Sequence, residues 1–188
     1  MSIQDYLQKS AAVMLAAGET AAMGQVDKAV EAIVRAFRAR KVLLVCGNGG
    51  SAADAMHIAG EMVGRFLKER PAQKCIALTA DNAILTAWAN DYSYETVFSR
   101  QVEGYGEEGG VFWGISTSGN SKNVLAALEQ AKAMGMTTLG LTGQGGGKMA
   151  ALCDILIDAP SKETPFIQQV HLCLYHYICQ KVEEAIAG

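Results

Sequence analysis

Two short turns in the sequence concentrate groups that hold an anion. The first is Cys46-Gly47-Asn48-Gly49-Gly50-Ser51. Its glycines let the backbone bend sharply and approach a ligand with no Cβ in the way. Ser51 opens a predicted helix, where free N–H groups and the helix dipole favour negative charge. No Lys follows the glycines, so this is not a Walker A loop. Ala52 stands where the third glycine of G-x-G-x-x-G would fall, so it is not a dinucleotide fingerprint either. Taken alone, the segment reads equally as a tight strand-to-helix turn capped by Ser51. The second turn, Ser116-Thr117-Ser118-Gly119-Asn120-Ser121, shifts that balance. It gathers the hydroxyls of Ser116, Thr117, Ser118 and Ser121 around a glycine, between a strand and a helix. Hydroxyls and backbone N–H groups are neutral donors suited to phosphate oxygens. Together the turns predict a site for a phosphorylated ligand. A third turn, Gly143-Gln144-Gly145-Gly146-Gly147-Lys148, also follows a strand; it reads as a contact or as a plain connection, and is assigned no role.

The titratable residues form a second group. His57 lies on the helix that Ser51 opens, and Glu61 follows four residues later, about 40° away around the helix. Such a pair can ligate a metal, share a proton, or simply sit on a helix surface. The other histidines, His171 and His176, belong to the last helix and point about 140° apart. One of them is expected to be functional and the other structural. Gln168 and Gln169 stand near the start of the same helix, and helical geometry does not choose between them.

These residues need a scaffold. Helical periodicity runs over about 3–23 and 26–39. The apolar run Lys41 to Val45 then predicts a buried strand. Further strands are predicted over 75–79, 110–115, 137–141 and 154–157. Helices are predicted over 51–66, 82–89, 94–102, 120–134 and 164–186. Strands alternating with helices predict an α/β three-layer sandwich around a five-stranded parallel sheet. Ligands in such folds collect beyond the carboxyl ends of the strands, which is where both turns fall.

The bulk properties bound the rest. A chain of 188 residues that is half apolar suits one domain with a full core, residues 1–40 forming N-terminal helices and 41–188 the α/β unit. A net charge of −3 with no basic block argues against nucleic acid as partner. Five cysteines without C-x-x-C spacing read as small buried hydrophobes in a reducing compartment. No signal peptide and no membrane-length apolar run are found, which predicts a cytoplasmic protein with no membrane partner.

With these residues placed, the chain resembles the sugar isomerase (SIS) domain family, and within it the bacterial phosphoheptose isomerases. The segments that carry the resemblance are CGNGGSAADAMHIAGEMVGRF, WANDYSYETVFSRQVE, GISTSGNSKN, LTGQGGGKM and TPFIQQVHLCLYH, which span almost the whole chain. The resemblance implies a flavodoxin-like SIS fold assembled as a homotetramer, with active sites between subunits. It implies interconversion of sedoheptulose 7-phosphate and D-glycero-D-manno-heptose 7-phosphate through an enediol, the first step toward the ADP-heptose of lipopolysaccharide core. It also implies one zinc ion per subunit, on His57, Glu61, Gln168 and His176. Phosphate and sugar contacts then fall on Asn48, Gly49, Gly50, Ser51, Asn90, Asp91, Ser116, Thr117, Ser118 and Ser121, with Glu61 and Gln168 also reaching the sugar. Glu61 becomes the base and His176 its acid/base partner, both expected to be tuned toward neutrality. A carboxylate bound tightly to zinc is a poorer base, so coordination loosens during turnover or the zinc is partly structural.

One departure concerns Pro165 and Phe166, where some relatives carry an acidic and a basic residue; a substrate contact from there is in doubt. Two rivals share the fold. One is a non-catalytic SIS protein that binds the replication initiator DnaA; it lacks the glutamate and last histidine that this chain has in Glu61 and His176. The other is a sugar-phosphate-sensing regulator, which needs an added helix-turn-helix domain for which the sequence leaves no room.

Overall fold

The computed structural model describes residues 1–20 and 23–187. Helix α1 (Ile3–Gly18) and helix α2 (Met23–Arg38) precede strand β1 (Leu43–Gly47) and helix α3 (Gly50–Val63). Strand β2 (Cys75–Ala77), helix α4 (Asn82–Asp91), helix α5 (Val97–Tyr105) and strand β3 (Val111–Ser116) follow. Helix α6 (Lys122–Ala133), strand β4 (Thr137–Thr142), strand β5 (Ile155–Asp158) and helix α7 (Thr164–Ile186) complete the order. Single 3-10 turns occur at Tyr94–Thr96 and Gly147–Ala151. The expected α/β sandwich with a five-stranded parallel sheet is the observed one.

Boundaries moved in two informative places. The first helix stops at Gly18 rather than running to Met23, and residues 21 and 22 of that expectation lie outside the described residues. Its start is fixed by a capping box, in which Ser2 and Asp5 exchange hydrogen bonds with each other's amides. The first strand extends two residues beyond the apolar run, because pairing with β3 continues to Gly47 opposite Ile115.

All four strand pairs are parallel, in the order β2-β1-β3-β4-β5. Both faces of the central strands are covered, as a parallel sheet requires. Leu43 and Val45 point into a core shared with α2, α3 and α7. Leu44 and Cys46 point into a second core with α5 and α6. The sequence-order reversal falls between β1 and β3: the connection from β1 leaves by α3 over one face, and that from β3 leaves by α6 over the other. Crevices for ligands form at such a switch point.

The C-terminal end of α3 is fastened to α7 by charge. The Arg70 side chain is 1% exposed and that of Glu183 2%, with Arg70 Nε 3.5 Å from Glu183 Oε1. Arg70 donates to the carbonyls of Glu61, Met62, Gly64 and Pro71. Glu183 accepts the amides of Phe66, Leu67 and Lys68 at 2.6–2.8 Å. Burial raises the Glu183 pKa, but these amides and Arg70 outweigh it and hold the carboxyl below the ordinary glutamate value. Replacing Glu183 by Ala would leave Arg70 buried without a counter-charge and three amides without an acceptor. Urea unfolding of Glu183→Ala is expected to show a loss of about 3–5 kcal/mol. A loss under about 1 kcal/mol, typical of an exposed pair, would show that the clamp does not hold this end of α3.

Candidate active site

The two anion turns leave the ends of neighbouring strands and face one cleft. Asn48, Gly50, Ser51, Ile115, Ser116, Thr117, Ser121, Thr164 and Gln168 line a cavity of about 230 Å³. Gly49, not Ser51, is the N-cap of α3, and no side chain caps it. Ser51 therefore lies inside the first turn, which corrects its reading as a cap and frees its hydroxyl for a ligand. Ser116 Oγ lies 2.9 Å from Ser121 Oγ and 3.5 Å from Ser118 Oγ, so three of the four expected hydroxyls form one cluster. A Cβ at Gly50 would overlap the Gln168 amide, so the missing side chain is what lets α7 close over the start of α3.

The titratable residues meet beside this cleft. His57 Nε2 lies 3.1 Å from Glu61 Oε1 on α3 and 3.4 Å from His176 Nε2 on α7. The three ligand atoms fall within 4.8 Å of one another, which makes His57, Glu61 and His176 a set that could hold a metal ion. Burial and the neighbouring His57 lower the His176 pKa, with Glu61 pulling the other way. This shift runs away from neutrality, opposite to the expected tuning, and favours the neutral, lone-pair form of His176. Phe66 packs on the His176 ring at 5.7 Å, placed there by the Glu183 clamp.

The two glutamines and two histidines of α7 are separated by what they face. Gln168 reaches the phosphate cleft. Gln169 instead bonds Ser10 and accepts no site role, its amide donating to the Tyr6 hydroxyl at 3.3 Å. His171 is wholly buried, with Nε2 2.9 Å from the Thr142 carbonyl, and burial lowers its pKa to about 4. Pro165 starts α7, and Phe166 stacks against Tyr6 of α1 at 5.0 Å, so neither is turned to a substrate task. Asn90 and Asp91 are bonded to each other, and Asp91 lines a separate groove of about 490 Å³ with Trp88, Tyr92 and Arg100. The structure does not bring them into the 230 Å³ cleft.

Several residues were missed by sequence reasoning. Asn123 and Asn48 exchange two side-chain hydrogen bonds of 2.9 Å, and the Tyr94 hydroxyl donates to Asn48 Oδ1 at 2.9 Å. Asn48 is thereby held as a strut of the first turn. The unassigned third turn braces the second: a Cβ at Gly119 would collide with the Gly146 carbonyl, Gly143 N–H donates to Thr117, and Lys148 N–H donates to Asn120. Tyr175, one residue before His176, puts its hydroxyl 2.9 Å from His57 Nδ1. Three of the five cysteines match the expectation of small buried hydrophobes, whereas Cys153 is half-buried and Cys173 is exposed. Cys46, Cys75 and Cys179 are buried, none is in a disulfide, and burial pushes Cys153 and Cys179 up to about 12.

A doubly wound sheet with a hydroxyl-lined cleft at its switch point, and a carboxylate–imidazole cluster beside it, defines the class: an α/β protein of the doubly wound kind with its polar site at the strand ends. The SIS domain family matches residues 5–143. A phosphoheptose isomerase of Bradyrhizobium sp. (strain BTAi1 / ATCC BAA-1182) is 50% identical over 98% of this chain and 93% of its own. One from Aneurinibacillus thermoaerophilus is 53% identical over 86% of this chain and 81% of its own. The solved phosphoheptose isomerase of Neisseria gonorrhoeae superposes with a TM-score of 0.91 at 37% identity, covering 97% of both chains. That of Francisella tularensis superposes with a TM-score of 0.93 at 32% identity, over 97% of this chain and 96% of its own. The chain belongs to the phosphoheptose isomerase family of SIS-domain proteins and is a sugar-phosphate isomerase.

His171 generates a pH prediction. Its folded pKa of about 4 lies below the ordinary value of 6.5, so the unfolded chain binds the extra proton in that interval. Folding stability should therefore be unaffected by this group above pH 6.5 and fall as pH drops from about 6.5 to about 4, by a total of about 3 kcal/mol. Glu183, whose folded pKa is also lowered, adds its own loss only below its ordinary value of 4.5. His171→Gln, which can still donate to Thr142 but does not titrate, should flatten the upper part of the curve. Parallel wild-type and variant curves in chemical unfolding across that range would refute the assignment.

Proposed function

We propose that the chain interconverts sedoheptulose 7-phosphate and D-glycero-D-manno-heptose 7-phosphate, the first step toward ADP-heptose for lipopolysaccharide core. The observation that carries this reading is the meeting of Glu61 and His176, from two different helices, beside a cleft lined by hydroxyls, in a chain half identical to phosphoheptose isomerases. In this reading Ser51, Ser116, Thr117, Ser118 and Ser121, with the backbone of Gly49 and Gly50, hold the phosphate. Asn48 and Gln168 serve the sugar hydroxyls, while Asn90 and Asp91, which lie outside this cleft, take no part in this reading. Glu61 carries the carbon-bound proton from C1 of the ketose to C2 of the aldose. His176 serves the oxygens, taking the proton of the C1 hydroxyl and returning one to the C2 oxygen, so the enediol forms and collapses without net charge.

The donor set also fits a zinc ion. Two imidazole nitrogens and a carboxylate oxygen within 4.8 Å of one another are the ligand types and the crowding zinc accepts. His57, Glu61, His176 and Gln168 would hold it, and bound there it would polarise the substrate carbonyl. Exposed apolar side chains support a homotetramer with sites between subunits and the N-terminal helices in its packing. Ile3, Leu7 and Leu15 of α1 stand out to solvent, as do Met56 and Val63 of α3 and Leu172 and Tyr177 of α7, on the elements that carry the site. Unpaired cysteines support a cytoplasmic location. No helix among the described residues is long and apolar enough to cross a membrane.

Incubating the purified protein with sedoheptulose 7-phosphate should yield the aldose phosphate, and absence of product both with and without added zinc would sink the reading. Glu61→Gln should lower kcat at least about 100-fold while the protein stays folded and still binds the sugar phosphate. Near-normal turnover by that variant would remove Glu61 as base. Metal analysis of protein purified without chelator should find one zinc per chain, lost in His176→Ala; equal zinc in both would reject the ligand set.

A further inference from the structure

The helix after the second turn is not capped by the residue at its cap position. Ser121 is the N-cap of α6, yet its side chain makes no capping bond. Its hydroxyl lies 2.9 Å from Ser116 Oγ, at the cleft. The first intrahelical bond runs from Leu125 N–H to the Ser121 carbonyl at 3.0 Å. The Val124 amide, one residue earlier, therefore has no carbonyl partner within the helix. An N-cap serine ordinarily accepts such an amide. Here Asn123 Oδ1 accepts it instead, at 3.0 Å. Asn123 is only 3% exposed, and the proposed reaction gives it no task.

That bond also settles the orientation of two side-chain amides. A backbone N–H only donates, so the Asn123 atom facing Val124 is oxygen. Asn48 Nδ2 donates to the same oxygen at 2.9 Å, which fills both of its lone pairs. Asn123 Nδ2 then returns a bond to Asn48 Oδ1, again at 2.9 Å. Turning the Asn48 amide end for end would set oxygen against oxygen and nitrogen against nitrogen. Tyr94, which is exposed, closes the arrangement from outside. Asn48 Oδ1 can only accept, so the phenol donates to it, at 2.9 Å. Asn48 Oδ1 is thereby filled, and one of the two amide protons is used. Asn48 keeps a single N–H for a ligand in the cleft it lines.

We infer that Asn123 and Tyr94 are positioning residues for this cleft. Asn123 caps α6 in place of Ser121, which leaves the Ser121 hydroxyl to the ligand. With Tyr94 it holds Asn48 in the one orientation that offers a donor, and no acceptor, to the bound molecule. The ligand atom opposite Asn48 is then an oxygen that accepts: a phosphate oxygen, or a sugar hydroxyl whose own proton goes elsewhere. The effect on turnover rests on the proposed sugar-phosphate reading of the cleft; the orientation of Asn48 does not.

The experiment uses the full-length protein, steady-state kinetics with sedoheptulose 7-phosphate, and nitrogen NMR of the Asn48 side chain. In the wild type one Asn48 amide proton should be protected from solvent exchange and the other should not. Equal exchange of both would overturn the orientation. Asn123→Asp keeps an oxygen for the Val124 amide, so its melting temperature should stay close to that of the wild type. It loses the N–H given to Asn48, and KM should rise about 3–10-fold, the worth of one neutral hydrogen bond, with kcat little changed. Tyr94→Phe removes the other donor and should raise KM in the same sense. Its exposed position keeps the test open if Asn123→Asp does not fold. In an Asn48→Ala background neither substitution should raise KM further. A rise of full size there would show that the new charge, or the lost hydroxyl, acts on the ligand directly, and would overturn the positioning role. Wild-type KM in both single variants would overturn it too. A wild type that does not isomerise the sugar phosphate would remove the proposed function instead. The Asn48 signals then decide the orientation alone: protection lost in Asn123→Asp supports it, and no change overturns it.

Discussion

Arg70 and Glu183 meet in a place where neither side chain is open to water, and the position of helix α3 depends on that meeting. Helices α3 and α7 touch mainly through apolar side chains: Ala55, Ile58 and Met62 on one, Tyr175, Ile178, Cys179 and Val182 on the other. Apolar contact is non-directional, so it presses two helices together without fixing how far one slides along the other. The charge pair is directional. Arg70 ties down the last carbonyls of α3, including that of Glu61, and Glu183 ties down the three amides that follow. A buried pair of this kind contributes modestly to net stability, because desolvation offsets most of the attraction. What it contributes here is register. Glu61 of α3 and His176 of α7 meet at His57 only if the two helices stop at one fixed offset.

The other end of α3 is fixed by topology. The chain leaves β1 over one face of the sheet and leaves β3 over the other, so the two turns splay apart and a cleft opens between them. The cleft needs rigid walls, because hydroxyl donors aimed at a phosphate lose their advantage if they must be reorganised. Asn48 and Asn123 lock the first wall through a two-way amide pair, and the third glycine turn is wedged behind the second. Glycine at 119 and 147 is thus a packing requirement between two loops, as glycine at 50 is between a loop and α7.

The scaffold was legible in the sequence because its signals are local. Apolar runs, glycine turns and a change of period mark strands and helices within windows of a dozen residues, and α7 falls where it was expected, over Thr164–Ile186. The two turns that line the cleft were legible as turns for the same reason. The partners that complete the site were not, because they are separated by more than a hundred residues of chain. Nothing near Glu183 announces Arg70, and nothing near His57 announces Tyr175. The spacing on α7 left Gln168 against Gln169 and His171 against His176 undecided. In space the choice follows from what lies opposite: α1 receives Gln169, the Thr142 carbonyl receives His171, and the cleft and α3 receive the other two. Asn123 looks like an ordinary polar helix residue in sequence, and only burial distinguishes it.

Under the proposed function, α3 acts as a ruler between phosphate and carbonyl. Six residues separate Ser51 in the phosphate turn from His57, about 9 Å along the helix axis. Glu61 lies one turn further, but helical side chains tilt back toward the N-terminus, which returns its carboxylate toward His57. A seven-carbon chain, extended over six carbon–carbon bonds that each advance about 1.25 Å, spans about 7.5 Å, and its phosphate ester brings this to roughly the same distance. Gripping the phosphate at the first turn of α3 therefore delivers the far end of such a sugar to the carboxylate and imidazoles two turns on. A shorter sugar phosphate held by the same hydroxyls would leave its carbonyl short of Glu61. Because α3 is pinned at one end by the cleft and at the other by Arg70 and Glu183, the helix cannot shift to meet it.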